Sequence, residues 1–551
     1  MNYNKSDKII INKLNMTLVD FDQKKSNINL NRVAFIFVII FFFVVLYSTR
    51  VIYLSSKTLQ KNLYQISKIN RADIVDRNGN YISKSVYTSN LGIDPSLIKD
   101  KKKLLLKLQY TFPNKDLTEI KKKIYGRKFF YVEKKIIPTE YQKIKLLGEK
   151  SIRLENKITR IYPDKNLFSH VVGQIDEDNN GISGLEKSFD QKLKDGREKL
   201  VLTLDKELQF IIRNELLNSQ KIFKNVGGAG ILMNINNGEI LSLVSIPDFN
   251  LNSRKLISDN NYINRATKGV YELGSVFKSF TIAAGLNYGL ISPEDMFVNI
   301  ERKMNCGGRV ISEYDENLPK DLSVEDILVY SSNIGSVKIG QIIGQEKLKS
   351  FLNQIGVLSQ LNFDIEEIGT PLPFTWRDCK LKTVSYGHGI TTTPIQLAKG
   401  YAILANGGYE IKPTLIKKNI HNSKKKRILK KNVSSQINNI FRKVVTHGTA
   451  SLSDVEGYEV GGKTGTAQIV ENGVYTNKKI NTFASVFPSS DPKYVLVILL
   501  EDTKLSKDYV YKYRNKPGSF KGTPFNTAGW TSVEITGKII DKIGPILATK
   551  Y

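Results

Sequence analysis

From Val33 to Thr49 the chain reads VAFIFVIIFFFVVLYST, with no charged residue and no helix breaker. Hydrocarbon offers backbone amides no water, so such a segment closes its hydrogen bonds internally, as a helix. At about 1.5 Å per residue it covers roughly 25 Å. Val51–Leu54 extend it past Arg50, whose side chain can reach the head groups. A cleaved signal peptide has a shorter apolar core and a small-residue exit, whereas this run passes into Tyr53-Leu54-Ser55-Ser56-Lys57. A retained single-pass anchor over 33–54 is therefore expected, preceded by a tail over 1–32. Lys5, Lys8, Lys13, Lys24, Lys25 and Arg32 lie before it, and Arg50, Lys57, Lys61 and Lys68 after it. Charge bias thus favours a cytoplasmic N-terminus only slightly.

The chain has 551 residues, more than one compact domain usually holds. Its 41% hydrophobic and 25% charged content is that of a folded protein. A formal net charge of +29 would suit an anionic partner. The lysines, however, run through every region, with the densest runs at 101–103, 121–123 and 424–426, as a compositional habit of solvated faces would place them. No helix-turn-helix, zinc or RNA-binding signature accompanies them, so no nucleic-acid partner is expected. Cys306 and Cys379 form no CxxC pair, which argues against a metal or thioredoxin-like site. Whether the two bridge or stay as separate thiols is open at this level.

After the anchor, Arg71-Ala-Asp-Ile-Val-Asp-Arg-Asn-Gly79 reads as a strand running into an Asn-Gly turn. Arg160-Ile-Tyr-Pro163 and Gly181-Ile-Ser-Gly-Leu-Glu-Lys187 are similarly punctuated. Asp205 is placed to cap a helix with Leu208, Ile211, Ile212, Leu216 and Leu217 on one face. From about 226 a larger mixed α and β domain begins. Ala229–Asn234 and Glu239–Ile246 flank Asn237-Gly238 as a hairpin, and a helix is expected from Ser275 through Ala284. Tyr494–Leu500 (YVLVILL) reads as a strand buried on both faces. A closing helix over Val533–Ile543 is expected despite Gly537.

Three short motifs then occur in order: Ser275-Val-Phe-Lys278, Ser331-Ser-Asn333 and Lys463-Thr-Gly465, the last followed by Thr466. Each alone has a bland explanation: a helix cap, a solvated lysine, a turn. Together they form a serine-nucleophile constellation. Residues three apart share a helix face, so Ser275 and Lys278 can meet, and Gly274 permits close approach. A serine hydroxyl needs an adjacent base. Lys278 serves if its amine is neutral, and burial and a second cation, Lys463, both lower its pKa. Ser331 is placed to relay a proton, and Asn333 offers amide groups to a peptide backbone. Thr464 and Thr466 would supply hydroxyls for a substrate carboxylate, and Gly465 between them is a further candidate substrate contact. The N–H groups of Ser275 and Thr466 are candidates for an oxyanion hole.

On these motifs the sequence resembles a class B penicillin-binding protein across nearly all of residues 33–551. Arg71–Gly79 is similar to the family's Arg-Gly-x-Ile-x-Asp-Arg-Asn-Gly signature, and His170–Gly173 and Gly181–Glu186 to its later pedestal motifs. Asn264-Arg-Ala266, Ser385–Gly389, Thr392-Thr-Pro-Ile-Gln396 and Leu404-Ala-Asn-Gly-Gly408 also match. Tyr271-Glu-Leu-Gly-Ser275, Gly461–Ala467 and Gly529-Trp530 most resemble the septal, FtsI-type enzymes rather than the elongation type. The resemblance implies an α+β fold: a β-lactamase/transpeptidase-like domain (antiparallel sheet flanked by helices) over 201–551, on an N-terminal pedestal or dimerisation domain over 55–200. It implies a serine D,D-transpeptidase that needs no cofactor, acts on peptidoglycan stem peptides and is acylated by β-lactams. It further implies an FtsW-type glycosyltransferase partner, other division proteins, and an inner-membrane location with the catalytic domain periplasmic. A β-lactamase, a D,D-carboxypeptidase and a β-lactam sensor share the fold and are the rival readings. Ala72, Leu273 and His388 depart from the family pattern. For His388 a structural role is expected over a pocket contact.

Overall fold

The computed structural model describes residues 31–55, 71–113, 115–136, 138–196, 198–253, 259–418, 426–471 and 473–551. Lys5, Lys8, Lys13, Lys24, Lys25, Lys57, Lys61, Lys68, Lys424 and Lys425 lie outside the described residues. Asn31–Ser55 is one 25-residue helix, long and apolar enough to cross a membrane. Its apolar side chains are exposed on every side, as a lipid-facing helix requires.

Arg71–Tyr551 forms a second compact unit. Its first part is a five-stranded sheet in the order Phe130–Ile136, Tyr81–Ile93, Ile74–Val75 and Leu200–Val201, with Ile152–Ile161 also paired to Tyr81–Ile93. The expected strand at Arg71–Gly79 is regular only over Ile74–Val75. There Asp76 turns the chain, accepting hydrogen bonds from the backbone of Asn78 and Asn80, with Gly79 at φ +88°. Leu91, Ile93, Leu104, Leu108, Ile124 and Val132 build a small core of their own at one end of this part.

The three punctuated stretches of the sequence meet in one buried ionic cluster. Arg71 Nε lies 2.6 Å from one oxygen of Glu186, and Arg160 Nε lies 2.8 Å from the other. Ser83 donates to Glu186 as well, and Arg71 also reaches Asp190 at 2.7 Å. Buried charges of this kind persist only when paired on several sides.

The second part is built on a five-stranded antiparallel sheet. Its order is Gly461–Glu471, Val474–Phe487, Tyr494–Glu501, Gly227–Asn234 and Ile240–Ile246. Tyr494–Leu500 is buried throughout, at the middle of the sheet, which is why its sequence carries no alternation. The Asn237-Gly238 hairpin forms as expected, with Gly238 at φ +79°. Asp205 caps Lys206–Phe223 by accepting from the amides of Glu207 and Leu208. The closing helix runs further than expected, from Ser532 to Lys550, through Gly537 and Pro545. At Gly537 the missing side chain is a packing necessity: a Cβ would lie 2.6 Å from the Leu452 carbonyl oxygen. One continuous core extends from Ala72 to Leu547, so both sheets belong to one packed unit.

The two cysteines are joined: Cys306 and Cys379 form a disulfide with Cα atoms 5.3 Å apart. It ties the hairpin Lys303–Cys306/Arg309–Ser312 to the helix Asp378–Ser385. Seventy-three residues separate them, so only the tertiary structure decides the pairing.

Candidate active site

Ser275 sits in a single 3-10 turn, Gly274–Phe277, that continues directly into the α-helix Lys278–Asn287. In a 3-10 turn residues three apart eclipse, so Ser275 and Lys278 lie on one face of the turn. Lys278 through Leu286 are all buried. The turn is fixed from behind by Tyr401, whose hydroxyl donates to the Val276 carbonyl at 2.8 Å and pairs with Ser279 Oγ at 2.9 Å. Tyr401 belongs to the helix Pro394–Ala405, which Thr393 and Gln396 cap reciprocally.

Two glycines allow the serine turn and the Lys463 strand to touch. Gly274 adopts φ +63°, and a Cβ there would lie 2.7 Å from the Thr466 carbonyl oxygen. A Cβ on Gly465 would lie 2.2 Å from the Leu273 carbonyl oxygen. The Lys463 strand is an edge of its sheet, and this contact holds it against the serine turn.

The three motifs converge on one hydroxyl. Lys278 Nζ donates to Ser331 Oγ at 3.1 Å, to the Ser331 carbonyl at 2.6 Å and to Asn333 Oδ1 at 2.7 Å. Lys463 Nζ donates to the same Ser331 Oγ at 2.9 Å and to the Thr464 carbonyl at 3.2 Å. Ser331 adopts φ +65°, a left-handed conformation rare for a serine. Both lysines are fully buried. Burial pushes the Lys278 ammonium down to about 7, partly offset by the Glu313 carboxylate. Burial, and then the charge of Lys278, hold Lys463 well below the ordinary lysine range. Two ammonium groups sharing one buried hydroxyl repel, so the pair holds fewer than two protons more readily than isolated lysines would.

Several side chains are engaged differently from the sequence expectation. Among the described residues the Ser275 hydroxyl makes no hydrogen bond, and the donors of Lys278 point to Ser331 and Asn333 instead. Asn333 accepts from Lys278 and donates from Nδ2 to the Ser312 carbonyl at 2.8 Å, which leaves one amide hydrogen for a substrate. Thr464 Oγ1 pairs with Thr449 Oγ1 at 2.7 Å. Thr466 Oγ1 donates to Asn481 Oδ1 and accepts from the Ala528 amide at 2.9 Å. Its hydroxyl therefore braces the Ala528–Trp530 turn.

Glu313 and Thr449 were not identifiable from sequence. Glu313 lies in the charged stretch Glu313-Tyr-Asp-Glu316, which reads as a solvated loop, yet its residue is only 7% exposed. His388 packs between Tyr386 and Tyr475, with ring centroids 5.9 and 5.0 Å away. Its Nε2 lies 3.2 Å from the Tyr475 hydroxyl and its Nδ1 3.6 Å from Glu272, three residues before Ser275. The ring is thus stacked between two tyrosines beside Glu272. A separate cavity of about 500 Å³, lined among others by Asn78, Asp205, Arg213 and Lys550, does not touch the three motifs.

Comparison with known proteins adds five findings. A family model described as penicillin binding protein transpeptidase domain matches residues 228–518, and one described as penicillin-binding protein dimerisation domain matches residues 66–220. The chain is 29% identical over 497 residues to the probable peptidoglycan D,D-transpeptidase FtsI of Caulobacter vibrioides, covering 87% of this chain and 82% of that protein. It is 27% identical over 479 residues to the peptidoglycan D,D-transpeptidase FtsI of Escherichia coli, covering 80% of each. Its fold is shared with the crystal structure of penicillin binding protein 3 of Mycobacterium tuberculosis in complex with aztreonam. The TM-score there is 0.66 at 20% identity, covering 88% of this chain and 97% of that one.

Proposed function

The chain belongs to the penicillin-binding protein transpeptidase family, and from that premise we propose that Ser275 is the residue that carries the acyl group in its reaction. The protein is a class B enzyme of the septal, FtsI type, a serine peptidoglycan D,D-transpeptidase of cell division. The observation that carries the assignment of its site is Ser331 Oγ, held at once by two fully buried lysines from the other two motifs.

In this reading the Ser275 oxygen attacks the carbonyl carbon of the D-Ala–D-Ala bond. Its proton passes to the neutral amine of Lys278, and from the Lys278–Ser331–Lys463 chain to the departing D-Ala amine. The N–H groups of Ser275 and Thr466 stabilise the tetrahedral oxyanion. The C–N bond breaks and a Ser275 ester remains. The amine of a second stem peptide then attacks that ester, forms the cross-link and returns the hydroxyl. The Gly461–Glu471 edge offers unpaired backbone groups along which the donor peptide can lie as an added strand, between Thr464, Gly465 and Thr466 on one side and Asn333 on the other. A β-lactam follows the first half of this path and stops at the ester.

The same reading places residues 33–54, within the Asn31–Ser55 helix, in the inner membrane, with residues 1–32 cytoplasmic and the remainder periplasmic. Peptidoglycan lies outside that membrane, and the Cys306–Cys379 disulfide suits an oxidising compartment. We assign residues 55–200 to the pedestal and 201–551 to the transpeptidase domain. An FtsW-type glycosyltransferase and other division proteins are the partners this assignment calls for.

The test is the fate of the acyl-enzyme. Full-length protein in detergent, mixed with a labelled penicillin, should give a Ser275 adduct that outlasts many minutes. Release within seconds would mean that water resolves the ester, as in a β-lactamase or carboxypeptidase. The acylation rate should also depend on pH. Only neutral Lys278 can accept the serine proton, and its ammonium titrates at about 7. The rate constant for labelling should therefore rise with pH to a plateau above 7 and fall about tenfold per unit below it, reaching about 1% of the plateau at pH 5. A profile flat from pH 5 to 8 would exclude Lys278 as the base.

A further inference from the structure

We infer that Glu313 is a positioning residue for the reaction, holding the Ser331–Asn333 turn in register with Lys278. Its carboxylate takes three hydrogen bonds from that turn. Oε1 accepts from Ser332 Oγ at 2.6 Å and from the Ile334 amide at 3.0 Å, while Oε2 accepts from the Asn333 amide at 2.6 Å. The two amides open the helix Asn333–Ile343, where a carboxylate is favoured by the helix dipole as well. Ser331, immediately before them, is the residue in the left-handed conformation. A serine keeps such a backbone only where its surroundings over-determine it, and Glu313 supplies that constraint from outside the helix.

The carboxylate is itself held. It follows the hairpin Lys303–Cys306/Arg309–Ser312, whose last carbonyl, of Ser312, accepts from Asn333 Nδ2. Most of Arg309–Ser312 is exposed, with only Ile311 buried, so apolar packing gives this arm little grip. The Cys306–Cys379 disulfide provides one, fixing the hairpin to the helix that leads to His388. Glu313 also faces Lys278 electrostatically. The charged groups around that amine are Glu313, which favours its ammonium form, and Lys463, which opposes it. The inference rests on the assignment of Ser275, Lys278 and Ser331 above.

Three variants of the full-length protein test it, read by the rate constant for penicillin acylation. Glu313→Ala removes all three acceptors, and a turn displaced by about 1 Å should slow acylation about 100-fold. Glu313→Asp keeps a carboxylate and should recover most of that loss. Glu313→Gln keeps one oxygen but no charge. It should be slowed less than the alanine variant, and the rising limb of its pH profile should move to lower pH, because the Lys278 ammonium loses its counter-charge. A merely structural glutamate would not move that limb. If the alanine variant does not fold, the aspartate and glutamine variants carry the test. Acylation within threefold of the parent in both Glu313→Ala and Glu313→Gln, with the limb unmoved, would overturn the inference. Loss of labelling in Ser275→Ala is the separate control. If that variant still forms an adduct, the nucleophile assignment has failed, whatever Glu313 does.

Discussion

Ser275→Ala should abolish covalent labelling by penicillin and lower transpeptidation by at least about 10⁴-fold, while the protein unfolds at its ordinary midpoint. The size follows from the chemistry. Without the oxygen there is no ester, and the remaining groups can only bind and polarise a peptide that nothing attacks. The unchanged stability follows from the structure. The Ser275 hydroxyl makes no hydrogen bond among the described residues and is only half-buried. Its removal orphans no partner, and alanine fits the Gly274–Phe277 turn, so the change should stay within about 0.5 kcal/mol. Mass spectrometry of the penicillin-treated variant checks the first part, and a denaturant titration the second. An adduct of unchanged stoichiometry on the alanine variant would move the nucleophile elsewhere.

The second large effect is on stability and lies far from the chemistry. Glu186→Ala should cost about 3–5 kcal/mol, because it leaves Arg71 and Arg160 buried without their shared carboxylate. Arg71 keeps Asp190, but Arg160 Nη2 already has no partner among the described residues. The core is continuous from the pedestal to the closing helix, so the loss should be felt throughout the unit. Both tryptophans, Trp376 and Trp530, pack against that core outside the pedestal, and their fluorescence transition should shift with the circular-dichroism transition. Penicillin labelling at low temperature should stay close to that of the parent. A tryptophan transition that did not move would mean that the two parts unfold independently.

Much of the fold was open to reading because its signals are local. The Asn237-Gly238 hairpin, the Asp205 cap and the unbroken Tyr494–Leu500 strand each follow from side chains within a few residues. The closing helix was read too short at Ile543. Gly537 looks like a breaker along the chain, but it is the one residue that lets the helix pass the Leu452 carbonyl. The stretches at 71–79, 160–163 and 181–187 were legible as punctuation, and the first and the third also as family motifs. That their charges neutralise one another in a buried cluster is a non-local fact.

The sequence by itself determined that a helix long and apolar enough to span lipid precedes an enzyme of this family, and which three motifs form its candidate site. Those are matters of residue type and short spacing, and spacing fixes what a helix turn or a strand can present. Only the tertiary structure decided how the polar groups divide their hydrogen bonds. Lys278 spends its donors on Ser331 and Asn333, Thr466 braces a turn with its hydroxyl, and Cys306 meets Cys379. Glu313, from a stretch that looks solvated, supports the Ser331 turn. Each of these pairs residues 19 to 73 positions apart. A buried donor or acceptor takes whichever partner the packed chain brings within about 3 Å, and that partner cannot be read from its neighbours in sequence.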